Sequence, residues 1–130
     1  MIIPNITAIY AAVLALLFVS LSLRVVYARW QTRSYLGEDD KHLARLVRAH
    51  ANFAEYVPFA IILIGLSEIL GASPIALHLF GASLVIGRVS HAYGISRDNE
   101  PIWFRVTGYT ITASVIAISS LTILYFAIIR

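Results

Sequence analysis

Arg45, Arg48, Asn52 and Glu55 bring two cations, an amide and a carboxylate into one otherwise apolar stretch of chain. At ~100° per residue they share an arc of about 80° on a helix. They predict a polar stripe that starts at a membrane surface and runs inward. Glu55 sits far enough along the segment to reach the hydrocarbon boundary, where an ionisable group is costly and faces a partner or a wet cavity. The plainer alternative is a solvated helix end with Glu55 paired to a neighbouring arginine.

Two later segments carry matching groups. Arg88 and His91 lie three residues apart and share a helix face, and the adjacent Gly87 permits a close helix approach. Arg105, Gly108, Tyr109 and Thr112 make a second stripe at helical spacing. Alternatively, Thr112 bonds its own backbone and Arg105 is an interfacial anchor. Arg24 ends the first apolar run and adds a fourth guanidinium from a separate segment. So many guanidiniums repel one another unless an anion or several carboxylates lie between them. Arginine forks match carboxylates in bidentate fashion. A lone Glu55 among them suits an ammonium group. The chemistry suggested is binding of a small anion that carries carboxylates and an amine.

Other chemistries fit poorly. The chain has no cysteine, which excludes a disulfide framework and a cysteine nucleophile, so any reactive sulfur belongs to a ligand. His42, His50, His78 and His91 lack two-ligand spacing on one face, so no metal site is expected. His50 falls on the apolar side of its helix and is expected to pack there, bonded to a neighbouring helix. The net charge of +3 comes from basic residues flanking membrane segments, so no nucleic-acid partner is expected.

The elements that must position these residues are membrane spans. Of the 130 residues, 59% are hydrophobic and 13% charged, where a soluble domain carries roughly a quarter charged. Apolar runs of about 20 residues cross a ~30 Å hydrocarbon core. The sequence predicts one all-α integral membrane domain over 1–130, with four transmembrane helices at about 4–30, 41–70, 75–95 and 103–129. Pro4 suits a helix start, and Glu38, Asp39 and Asp40 suit the opening of the second helix. Pro58 is expected to loosen that helix. The first run is too long for a cleaved signal peptide and lacks a basic leader, so it is expected to be a retained helix. Nine of the ten Lys and Arg residues map to one side, with Arg130 on the other. The positive-inside rule then makes the loops at 31–40 and 96–101 cytoplasmic and puts both termini on the opposite side.

The segment from Arg48 to Pro58, RAHANFAEYVP, resembles the second-helix signature of the MAPEG family, the membrane-associated proteins in eicosanoid and glutathione metabolism. The run from Gly87 to His91 resembles that family's third-helix motif, and Arg105 with Gly108 and Thr112 fits the start of its fourth helix. The likeness covers essentially the whole chain and is greatest to the small bacterial members. It implies a homotrimer of four-helix bundles in a bacterial inner membrane. It also implies that glutathione binds as co-substrate between adjacent protomers at the cytoplasmic side. Asn52 and Glu55 would hold its polar groups, with Arg24, Arg48, Arg88 and His91 lining the pocket. Arg105 and Tyr109 would lie near the thiol as catalytic groups. Ala51 and Ile95 depart from the pattern, where an arginine and a tyrosine are expected.

The resemblance therefore predicts a glutathione-dependent transferase or peroxidase acting on lipophilic electrophiles or lipid hydroperoxides that arrive through the bilayer. A non-catalytic lipid-binding or scaffold protein of the same fold is the first alternative. A small four-span transporter is the second, disfavoured because the first helix carries no charge across its span and Glu55 is close to one interface.

Overall fold

A computed structural model describes residues 3–129. Four helices account for nearly all of it: α1 Asn5–Thr32, α2 Lys41–Ile69, α3 Pro74–Ile95 and α4 Ile102–Ile129. All four are long and apolar enough to cross a bilayer. The fold is an all-α bundle of membrane-spanning helices, with no strand among the described residues. The boundaries fall within two residues of those read from the sequence. Arg130 and its charge lie outside the described residues.

Local chemistry explains where the helices begin and end. The Asp40 side chain accepts from the Leu43 N–H at 2.8 Å, so the last acid of the run caps α2. Ser73 caps α3 through the Ala76 N–H at 3.3 Å, and Pro74 occupies the first turn, where a missing N–H costs nothing. Helix α2 ends at Gly71, which takes a left-handed φ of 92°. There Ala72 N–H donates to Ser67 O and Gly71 N–H to Glu68 O, closing the last turn. Helix α1 has no cap of its own. Its first N–H groups donate instead to the Glu68 carboxylate of α2, from Ile6 at 2.9 Å and from Thr7 at 2.7 Å. The Thr7 hydroxyl adds a third bond at 2.6 Å.

Helices α2 and α3 pack together at the centre and α1 and α4 lie on opposite flanks, without contact between those two. The core between them is built from Leu14, Phe53, Ile64, Leu77, Leu84 and Val115. α3 and α4 approach most closely, through facing glycines. A Cβ on Gly108 would collide with the Gly87 carbonyl oxygen, so no larger residue fits without separating the helices. Trp30 and Trp103 are exposed near the ends of α1 and α4 that share the basic side, as expected for interfacial anchors.

Candidate functional site

The basic end of the bundle holds a cavity of about 460 Å³ lined by Lys41, Arg45, Arg48, Glu100 and Arg105, and by Glu38 of the loop before α2. α2 supplies the first three, α4 supplies Arg105, and the loop between α3 and α4 supplies Glu100. Glu100 joins the two helices. Its carboxylate pairs with Arg45 at 3.1 Å and with Arg105 at 2.8 Å, and its side chain is only 15% exposed. Like charges from two helices are thus held together by one internal anion. The sequence reading passed over Glu100, because a loop acid fifty-five residues from Arg45 gives no local signal of that pairing.

The polar groups on α2 do not share one environment. Arg45 turns to Glu100, and Asn52 turns inward, where its side-chain oxygen accepts from Arg88 Nη2 at 2.7 Å. Arg48 and Glu55 are exposed on the outer surface of the protomer, and neither forms an ion pair among the described residues. An arc of about 80° is wide enough to meet two neighbours and open space at once.

Arg88 is fully buried, with 0% exposure. Its guanidinium lies 5.7 Å from the Phe53 ring centre and 5.9 Å from that of Tyr56, both faces being cation–π partners. Its Nε and Nη1 have no hydrogen-bond partner. His91, one turn further on, is buried and donates from Nδ1 to the Arg105 carbonyl at 3.1 Å. The Ser90 hydroxyl donates to the Phe104 carbonyl at 2.9 Å. Together these two bonds fix the first turn of α4 against α3 and so set where Arg105 stands. Tyr109 is 45% exposed, and its ring meets Tyr56 edge-on at 5.8 Å. Thr112 bonds its own helix, at Gly108 O, 2.9 Å away. His50 stacks on Phe18 at 4.7 Å, and its Nε2 has no partner, so the expected interhelical bond is replaced by ring packing.

Arg24 stands apart from the cavity. It lies along a separate groove between α1 and α3, with Arg88 beneath it. The structure thus brings Arg45, Arg48 and Arg105 together, links Asn52 to Arg88 and His91 to the backbone of Arg105, and puts Tyr109 beside Tyr56. Glu55 joins none of these groups inside one protomer.

A cavity lined by three guanidiniums and a lysine, together with the carboxylates of Glu38 and Glu100, lies at one end of the bundle, and its cations can hold carboxylates. Arg105 lines it, and Tyr109, one turn further along α4, carries a hydroxyl. The model of the MAPEG family matches residues 7–125. The chain is 38% identical over 90 residues to the inner membrane protein YecN of Escherichia coli strain K12, covering 68% of this chain and 69% of YecN. The same figures hold for YecN of Escherichia coli O6:H1. On this family match, which spans nearly the whole chain, the protein belongs to the MAPEG family.

Proposed function

We propose that this protein is a glutathione-dependent transferase or peroxidase acting on lipophilic electrophiles or lipid hydroperoxides at the cytoplasmic face of a bacterial inner membrane. The observation that carries this reading is the cavity where Arg45, Arg48 and Arg105 converge. Glutathione has two carboxylates, an ammonium and a thiol. Arg48 and Arg45 suit the carboxylates, and Glu55 suits the ammonium. Asn52, oriented by Arg88, offers its amide to the peptide groups. Arg24 and His91 complete the set that the family likeness implies.

Arg105 and Tyr109 act on the sulfur. The thiolate is the nucleophile, and a nearby cation lowers a thiol pKa. A shift of about two units corresponds to ~2.7 kcal/mol. In transfer, the thiolate forms a carbon–sulfur bond as the leaving group departs with its electron pair. In reduction, two glutathiones give the disulfide, and the hydroperoxide becomes an alcohol and water.

Arg48 and Glu55 face outward on a membrane-spanning helix. A charged side chain facing hydrocarbon is costly, and the cost falls toward the interface, where these two residues stand. Covering that face with neighbouring copies would shield both charges from lipid, which is consistent with a homotrimer that holds glutathione between protomers. The placement of Lys and Arg supports cytoplasmic loops at 31–40 and 96–101, with both termini opposite.

The second reading is a non-catalytic lipid-binding or scaffold protein, and one observation favours it. Arg105 is already paired with Glu100, and a paired guanidinium stabilises a thiolate less than a free one. Turnover of an aryl halide and of a lipid hydroperoxide with glutathione in detergent separates the two. Activity that falls in Arg105→Ala supports the enzyme; saturable glutathione binding without turnover supports the scaffold.

A further inference from the structure

Arg88 and Asn52 meet inside the protomer, where α3 packs on α2. The Arg88 guanidinium is fully buried, and its Nη2 lies 2.7 Å from the Asn52 side-chain oxygen. A guanidinium has five N–H donors and no acceptor, and it stays charged. An asparagine amide has a donor end and an acceptor end, and can turn either to a neighbour. Beside Arg88 only one end fits. The oxygen must face the guanidinium, because the NH2 group would set donor against donor. Asn52 is therefore locked in one orientation. Its NH2 group turns away from Arg88 and has no partner among the described residues, and the residue is only half-buried.

Stability alone does not ask for a guanidinium at this position. Arg88 Nε and Nη1 have no hydrogen-bond partner, and no carboxylate among the described residues lies within ion-pair distance. The rings of Phe53 and Tyr56, at 5.7 Å and 5.9 Å, offset part of the cost of burying the charge. A buried glutamine would have no charge to desolvate. It would, however, carry both a donor and an acceptor, and would let the Asn52 amide turn over. What the guanidinium provides, and a neutral amide does not, is a one-way contact.

We infer that Arg88 is a positioning residue that makes Asn52 a donor-only contact for the ligand, so that the site takes an acceptor oxygen there, from a carboxylate or a peptide carbonyl, and rejects an amine. Arg88 keeps its place in the glutathione site but acts from behind the amide. The inference rests on the glutathione reading and refines it, since glutathione has both kinds of oxygen. Glu55 follows Asn52 by three residues on the same helix. An ionised carboxylate only accepts. One turn of α2 thus offers a donor to an oxygen and, next to it, an acceptor to the ammonium.

The test is proton–nitrogen correlation spectroscopy of the full-length protein in detergent, with nitrogen-15 in the asparagine side chains, titrated with reduced glutathione. The chain has three asparagines, Asn5, Asn52 and Asn99, and the Asn52 pair of signals is the one missing from Asn52→Ala. Saturating glutathione moves the Asn52 NH2 protons downfield, as a new acceptor requires. In equilibrium dialysis Arg88→Gln binds glutathione about tenfold more weakly, and Arg88→Lys, a donor-only replacement, about threefold. Glutathione that binds saturably and leaves the Asn52 signals in place overturns the inference while the proposed function stands. Equal losses of affinity in the two Arg88 variants, at equal melting temperature, also overturn it. A folded protein that binds no glutathione overturns both the inference and the reading beneath it. The spectroscopic test uses the unaltered chain, so it decides the matter even where an Arg88 variant fails to fold.

Discussion

Glu100 and Arg105 set the chemistry at the scale of single residues. The same guanidinium that would stabilise a thiolate is bound at 2.8 Å by an internal carboxylate, which a ligand carboxylate must displace or share. Replacing Glu100 with Gln removes that competitor. Glutathione affinity, measured by equilibrium dialysis, is expected to rise about threefold to tenfold, or ~0.7–1.4 kcal/mol. A weaker affinity would instead make Glu100 a support for the arginines. Arg105→Ala is expected to lower turnover roughly 100-fold, the scale of losing one charge-stabilising donor, while binding changes less. Glu55→Gln is expected to weaken glutathione binding about tenfold, ~1.4 kcal/mol, through loss of its ammonium partner. Unchanged affinity would remove Glu55 from the site.

Between elements, two contacts hold the bundle in register. At the end remote from the cavity, the Glu68 carboxylate caps α1 from α2 through three bonds. An ionised acceptor is stronger than a neutral one, and Glu68→Gln also turns an amide donor toward the Thr7 N–H. The expected cost is about 1.5–3 kcal/mol, read as a lower melting temperature in detergent, with glutathione affinity little changed. Near the cavity, Gly108 lets α4 touch α3, so Gly108→Ala should cost about 1–3 kcal/mol and displace Arg105 with the first turn of α4. These elements differ in how legible they were. The spans, the Asp40 cap and the Gly71 turn follow from local pattern, since each depends on neighbours within a few residues. The Glu68 cap joins residues sixty-one positions apart, and nothing in a helix-period pattern marks it. Equally, the α2 wheel placed Arg45, Asn52 and Glu55 on one side, but which neighbour each meets depended on the unseen positions of α3 and the following loop.

For the whole molecule, four apolar spans with both tryptophans near one surface agree with the composition, which lacks the charge a soluble domain needs. The family was readable because its motifs combine uncommon residue types at fixed spacing within membrane helices. The single protomer leaves Arg48 and Glu55 uncovered; under the proposed function a neighbouring copy completes the site, and that assembly could be read only through likeness. Equilibrium dialysis of labelled glutathione against the purified oligomer in detergent tests the central claim most directly. Saturable binding that falls in both Arg48→Ala and Glu55→Gln is the predicted result. Absence of saturable binding to a protein shown to be folded and oligomeric would contradict it.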